Sequence, residues 1–120
     1  IPYFIDYQDA LIGNPAYDIV SLLKDARRDL GAGTEEILLH YYLNYSSYNK
    51  TNFLKNYHLI GAQRQCKIIG IFARLNQRDN KPNYLQHIPR VIKHLKDHLE
   101  HPELADLKAW CMQYIKTLND

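Results

Sequence analysis

The chain has 120 residues, 46% of them hydrophobic and 23% charged, which is enough apolar side chain to bury a core and excludes a disordered or low-complexity polypeptide. Its 15 Lys and Arg against 13 Asp and Glu leave a formal charge of +2, so neither nucleic acid nor an anionic membrane is expected as a partner. No apolar run approaches the roughly 20 residues of a membrane span and no signal-peptide pattern occurs, so a cytoplasmic location is expected.

In chain order, Tyr3 to Tyr7 is aromatic and β-branched and reads as a short strand that breaks at Gln8. Asp6 and Asp9 stand at its exit, ahead of a Gly13-Asn14-Pro15 turn, and Asp18 is placed to cap or open a helix. A carboxylate leaving a strand into a loop suits a hard cation such as magnesium, which takes oxygen ligands and keeps several waters. Asp6 is therefore a candidate metal ligand, with Asp9 a candidate second or supporting one. The chain opens at Ile1, without an initiator methionine and on a strand with nothing to pair with; a piece of a longer protein is expected.

Apolar residues at Ile19, Leu22, Leu23 and Ala26 predict an amphipathic helix from Tyr17 to Leu30 with Lys24, Arg27 and Arg28 outside. Gly31-Ala32-Gly33 ends it. Thr34 is expected to cap a second helix, with Glu35 and Glu36 in its first turn and an inward stripe of Ile37, Leu38, Tyr41, Tyr45 and Tyr48. The longest helical pattern runs from Thr51 to about Gln77. Gly61 and Gly70 inside it each cost roughly 1 kcal/mol against alanine, so a kink or a close approach of another backbone is expected there. After a polar break at residues 78–83, Tyr84 to His101 reads helical, with Pro89 either kinking it or starting a new helix. A last helix is expected from Pro102 to Leu118, with a seam of Leu104, Leu107, Cys111, Tyr114, Ile115 and Leu118.

Cys66 and Cys111 have no C-x-x-C spacing and read as small buried hydrophobes. His94, His98 and His101 recur at helical spacing that zinc ligands share, but the flanking Lys93 and Lys96 read as a solvated face. No nucleophile elbow or helix-borne carboxylate pair points to a hydrolase.

Two blocks carry a family resemblance. The run Ile5-Asp6-Tyr7-Gln8-Asp9-Ala10, with Gly13, Pro15 and Tyr17-Asp18-Ile19-Val20-Ser21-Leu22-Leu23, resembles the magnesium-binding segment of aminoglycoside-phosphotransferase-like kinases. Lys67-Ile68-Ile69-Gly70-Ile71-Phe72-Ala73-Arg74-Leu75, with Arg78-Asp79, Lys81-Pro82, Tyr84-Leu85 and Pro89-Arg90, is similar to the anomeric sugar kinases of cell-wall recycling within that family. The resemblance implies a mainly α chain, the C-terminal helical lobe of a protein-kinase-like fold with one short N-terminal strand. Residues 1–120 would be a single domain, with 1–18 the metal-binding strand and loop and 19–120 a helical array. It also implies a phosphotransferase using ATP and Mg2+, with Asp6 holding the metal and the γ-phosphoryl group passing to an amino-sugar hydroxyl at the anomeric position. Asp18 would brace the catalytic loop or cap its helix. Arg74 is a candidate to face an anionic part of the acceptor, such as the lactyl carboxylate of muramate.

The chain departs from a full kinase of this family in having no Gly-rich nucleotide loop, no strand lysine and no His-x-Asp catalytic loop. These are expected upstream, so no catalytic base is assigned here, the missing N-terminal part is an expected partner, and these residues alone are expected to be inactive. An unpaired strand edge would favour a homodimer of the fragment. The rival readings are a non-catalytic helical interaction domain and a kinase with an aminoglycoside- or choline-type acceptor.

Overall fold

Among the described residues five helices follow one another as α1 (Ala16–Leu23), α2 (Thr34–Tyr45), α3 (Lys50–Asp79), α4 (Ile88–Leu99) and α5 (Ala105–Tyr114), with 3-10 turns at Pro82–His87, Pro102–Leu104 and Lys116–Leu118. They come from a computed structural model that describes residues 1–6 and 8–119. The mainly α class is as expected. The strand from Tyr3 is not formed among the described residues, and Tyr7 lies outside them. Backbone N–H and C=O groups hold a strand only when a neighbour completes the ladder. Ile1 to Asp6 has no such neighbour, and the side chains of Ile1, Tyr3, Phe4 and Ile5 are exposed.

Helix α3 is the spine. Its 30 residues extend about 45 Å at 1.5 Å per residue. The side chain of Asn49, one residue before the helix, accepts from Asn52 N–H at 3.0 Å, a capping role expected of Thr51. Asn80 ends it in the left-handed region at φ 50°. The first half of α3 packs against α1 and α2 through Ala16, Val20, Leu23, Leu43, Phe53 and Tyr57. Its second half meets α4 and the α1–α2 connection through Phe72, Val91 and Ala26. Ala62, Leu95, Leu99, Leu104, Cys111 and Leu118 join α3, α4 and α5.

Helix α1 is shorter than its apolar pattern predicts. The backbone leaves the helix at Lys24, and the Asp25 carboxylate accepts from Arg27 N–H at 2.8 Å, a local turn that competes with continued helix. Its buried face is Ala16, Val20, Leu23 and Lys24, so Lys24 points inward, not out. Helix α2 is rotated from the expected stripe. Ile37, Leu38, Tyr41, Tyr45 and Tyr48 are exposed, while Leu43 is buried and Leu39 and Tyr42 are half-buried. The helix is apolar on both faces, and the charge decides between them: Glu35 lies on the Leu39–Tyr42–Leu43 face and pairs with the buried Lys24.

Pro89 starts a new helix; it lies in the first turn of α4, after the Pro82–His87 3-10 segment. Of the expected last seam, Leu104, Cys111 and Leu118 are buried, whereas Leu107 and Tyr114 are exposed, and the helix ends at Tyr114. Cys66 is exposed, contrary to the reading of it as buried.

Candidate functional site

The carboxylates of the N-terminal segment share one exposed turn. Asp6 at φ 61° and Asp9 at φ 63° both adopt the left-handed region, which Asp tolerates better than most non-glycine residues. The Gln8 side-chain amide donates to Asp6 Oδ1, joining those two residues. Asn14 then closes the loop, accepting from Ala16 N–H through its side chain and from Tyr17 N–H through its carbonyl, each at 3.0 Å. The capping expected of Asp18 thus falls to Asn14. Asp18 itself is exposed in the first turn of α1, where a carboxylate favours the positive helix end. It also lies near Tyr42, whose hydroxyl is pushed up mainly by burial, then by Tyr48 and Asp18.

Asp6 and Asp9 offer oxygen donors only, as magnesium prefers, and magnesium needs no more than one or two protein carboxylates beside waters and phosphate oxygens. In donor chemistry they fit that ion. Among the described residues no three His, Cys, Asp or Glu side chains gather into a metal site, the helical histidines included.

Arg74 is exposed on the second half of α3, and among the described residues no hydrogen bond or ion pair joins it to Asp6, Asp9 or Asp18. The later arginines Arg78 and Arg90 are engaged within the chain. Arg78 forks onto Asp79 at 2.9 and 3.1 Å. Arg90 forks onto Asp29 at 2.7 and 2.8 Å and donates to Ala26 O at 3.0 Å, tying α4 to the α1–α2 connection. The half-buried arginine nearest the start of α1 is Arg64, whose guanidinium lies 5.5 Å from the centre of the Tyr17 ring and donates to its hydroxyl at 3.3 Å.

Sequence reasoning missed a buried polar hub centred on Lys24. Lys24 Nζ lies 2.7 Å from Glu35 Oε2 and donates to Asp97 Oδ2 at 3.0 Å. Tyr57 Oη donates to Glu35 Oε1 at 2.8 Å, and Gln65 Nε2 donates to Lys24 O at 3.4 Å. His58 and His98 meet through their Nδ1 atoms at 3.2 Å, and His58 stacks on His101 with ring centres 5.0 Å apart. The expected solvated histidine face is therefore wrong for His94 and His98, which are buried. Burial, then the neighbouring His58, Lys24 and His94, push the His98 imidazole down to about 3. Burial and Lys24 lower His94, and burial and His101 lower His58. A neutral imidazole has one N–H, so the His58–His98 contact needs one donor and one acceptor and is lost when both rings are protonated. The signal available was the i, i+4, i+8 run Ala16, Val20, Lys24, which places the lysine on the buried face.

A model of the phosphotransferase enzyme family matches residues 1–54, which take in Asp6, Asp9 and Asp18. The chain is 43% identical over 112 residues to an N-acetylmuramate/N-acetylglucosamine kinase of Caulobacter vibrioides, covering 92% of this chain and 31% of that protein. It is a relative of the phosphotransferase enzyme family. Kinases of the same name from Pseudomonas aeruginosa and Neisseria meningitidis are 37% and 34% identical over 88% and 95% of this chain. The chain spans about a third of the length of these kinases. Among the described residues no helix is long and apolar enough to cross a membrane.

Proposed function

We propose that this chain is the helical part of an ATP-dependent kinase that phosphorylates an amino sugar, with Asp6 as its magnesium ligand and Asp9 in support. The observation that carries the reading is the 43% identity to an N-acetylmuramate/N-acetylglucosamine kinase, sustained over 92% of the chain. The oxygen-only donor set at Asp6 and Asp9 agrees with it. A bound magnesium would neutralise charge on the nucleotide phosphates. Asp6, bonded to the Gln8 amide and at positive φ, is exposed and presents its carboxylate to solvent. In the transfer a bond forms between the acceptor oxygen and the γ-phosphorus, the bond to the ADP oxygen breaks, and the hydroxyl proton leaves to a base. No residue of this chain is assigned as that base. These residues alone are expected to transfer no phosphate.

The test is the complete reading frame that contains this segment, supplied with ATP and magnesium and offered N-acetylmuramate, N-acetylglucosamine and an aminoglycoside. Phosphate on the anomeric carbon of an amino sugar, read by phosphorus NMR, is the expected product. Transfer to the aminoglycoside alone would move the acceptor class. Transfer to none would favour the second reading, a helical interaction module, which draws on the exposed apolar side chains of Phe4, Ile5, Leu11 and Ile12.

A further inference from the structure

Arg64 is a half-buried cation with no carboxylate partner among the described residues. The structure gives it one hydrogen bond, to the Tyr17 hydroxyl, and leaves its Nε shielded from solvent with no acceptor. The other half-buried arginine, Arg90, has the Asp29 carboxylate. A desolvated guanidinium without a counter-ion is unfavourable, and its fork of donors matches a carboxylate. Arg64 borders a groove of about 270 Å³ floored by Ile68 and Phe72, walled by Tyr84, and edged by Arg27 and Asp25. Arg27 is 3.8 Å from the Asp25 carboxylate, so the rim keeps a net positive charge that Arg64 supplies. An apolar floor beside an unpaired guanidinium suits a small organic anion carrying methyl groups better than a polyphosphate.

We infer that Arg64 binds the carboxylate of an acidic amino-sugar acceptor, the lactyl ether of N-acetylmuramate, with the sugar's methyl groups on Ile68 and Phe72. The inference rests on the amino-sugar kinase reading and assigns to Arg64 the role that sequence reading gave to Arg74. N-acetylglucosamine lacks the carboxylate and gains nothing from the guanidinium. The contact is bidentate in Arg and reduced to a point charge in Lys.

The test compares the complete enzyme with its Arg64→Gln, Arg64→Lys and Arg74→Gln variants, using N-acetylmuramate, N-acetylglucosamine and ATP as varied substrates. For Arg64→Gln the ratio of kcat/KM for N-acetylmuramate to that for N-acetylglucosamine falls about 10–100-fold, carried by KM, as loss of a charged hydrogen-bonded pair predicts. Arg64→Lys recovers part of the ratio, and Arg74→Gln keeps it. A ratio within threefold of wild type in Arg64→Gln overturns the assignment, because the residue then only packs on Tyr17. So does a change confined to the KM for ATP, which would make the bound anion a nucleotide phosphate. A wild-type enzyme that phosphorylates neither sugar instead overturns the amino-sugar reading on which the assignment stands.

Discussion

Gly61 shows how a single residue sets the geometry of the interior. A Cβ built on it would lie 2.3 Å from both Cε1 and Nε2 of His98. The imidazole cannot swing away cheaply, since it is buried and bonded to His58. Glycine in mid-helix is therefore kept here because a ring occupies the space of its side chain. Gly61→Ala is expected to destabilise the protein by about 1–3 kcal/mol, the range for overpacking a filled core, measured by urea unfolding. A loss below about 0.5 kcal/mol would mean that His98 has room to move. Lys24 acts in the opposite sense: its ammonium is buried, yet it bonds to carboxylates on α2 and α4 that themselves reach water. Such a pair fixes which helix faces meet more than it adds net stability.

At the scale of the helix, α3 carries two glycines with different reasons for being there. Gly70 is exposed and an added Cβ meets nothing within 4 Å. Gly70→Ala should raise stability by up to roughly 1 kcal/mol through helix propensity alone, a rise in melting temperature that an approaching partner surface would reverse. Both glycines were legible as anomalies, and α3 runs unbroken through both: Gly61 admits a side chain, not a backbone. The long spine, the break near Asn80 and the start at Pro89 could be read from periodicity and cap chemistry. The face of α2 could not, because Ile37, Leu38, Tyr41 and Tyr45 form as good a stripe as Leu39, Tyr42 and Leu43. What chooses between them is the Lys24–Glu35 pair, a contact between two helices that no local pattern records. The carboxylate turn was legible in residue type, but its form was not: Asp6 takes left-handed backbone where the end of a strand was expected, and Asp9 does so in the loop that follows.

At the scale of the molecule, one polar hub joins α1, α2, α3 and α4, and it titrates. His58, His94 and His98 are all held below the ordinary histidine range, His98 at about 3. Near pH 6.5 and below, the unfolded chain takes up protons that the folded chain refuses. The stability these residues contribute is complete above about pH 6.5 and is lost progressively as pH falls toward 3. Each such histidine removes up to about 1.4 kcal/mol per pH unit inside its own window. Melting temperatures between pH 7.5 and 4.5 should fall steeply, before carboxylates begin to titrate; a flat profile down to pH 5 would mean that the histidines are protonated in the folded state. The hub ties the end of α1, the helix that follows the carboxylate turn, to α2, α3 and α4, and the chemistry is proposed for that turn. The most direct test of it is phosphoryl transfer to N-acetylmuramate by the complete enzyme and by its Asp6→Asn variant across a magnesium titration. Asp6→Asn should lower kcat at least about 100-fold, as loss of a carboxylate that holds the charge-neutralising ion predicts, with partial recovery at high magnesium. Activity and magnesium dependence indifferent to Asp6 would contradict the account.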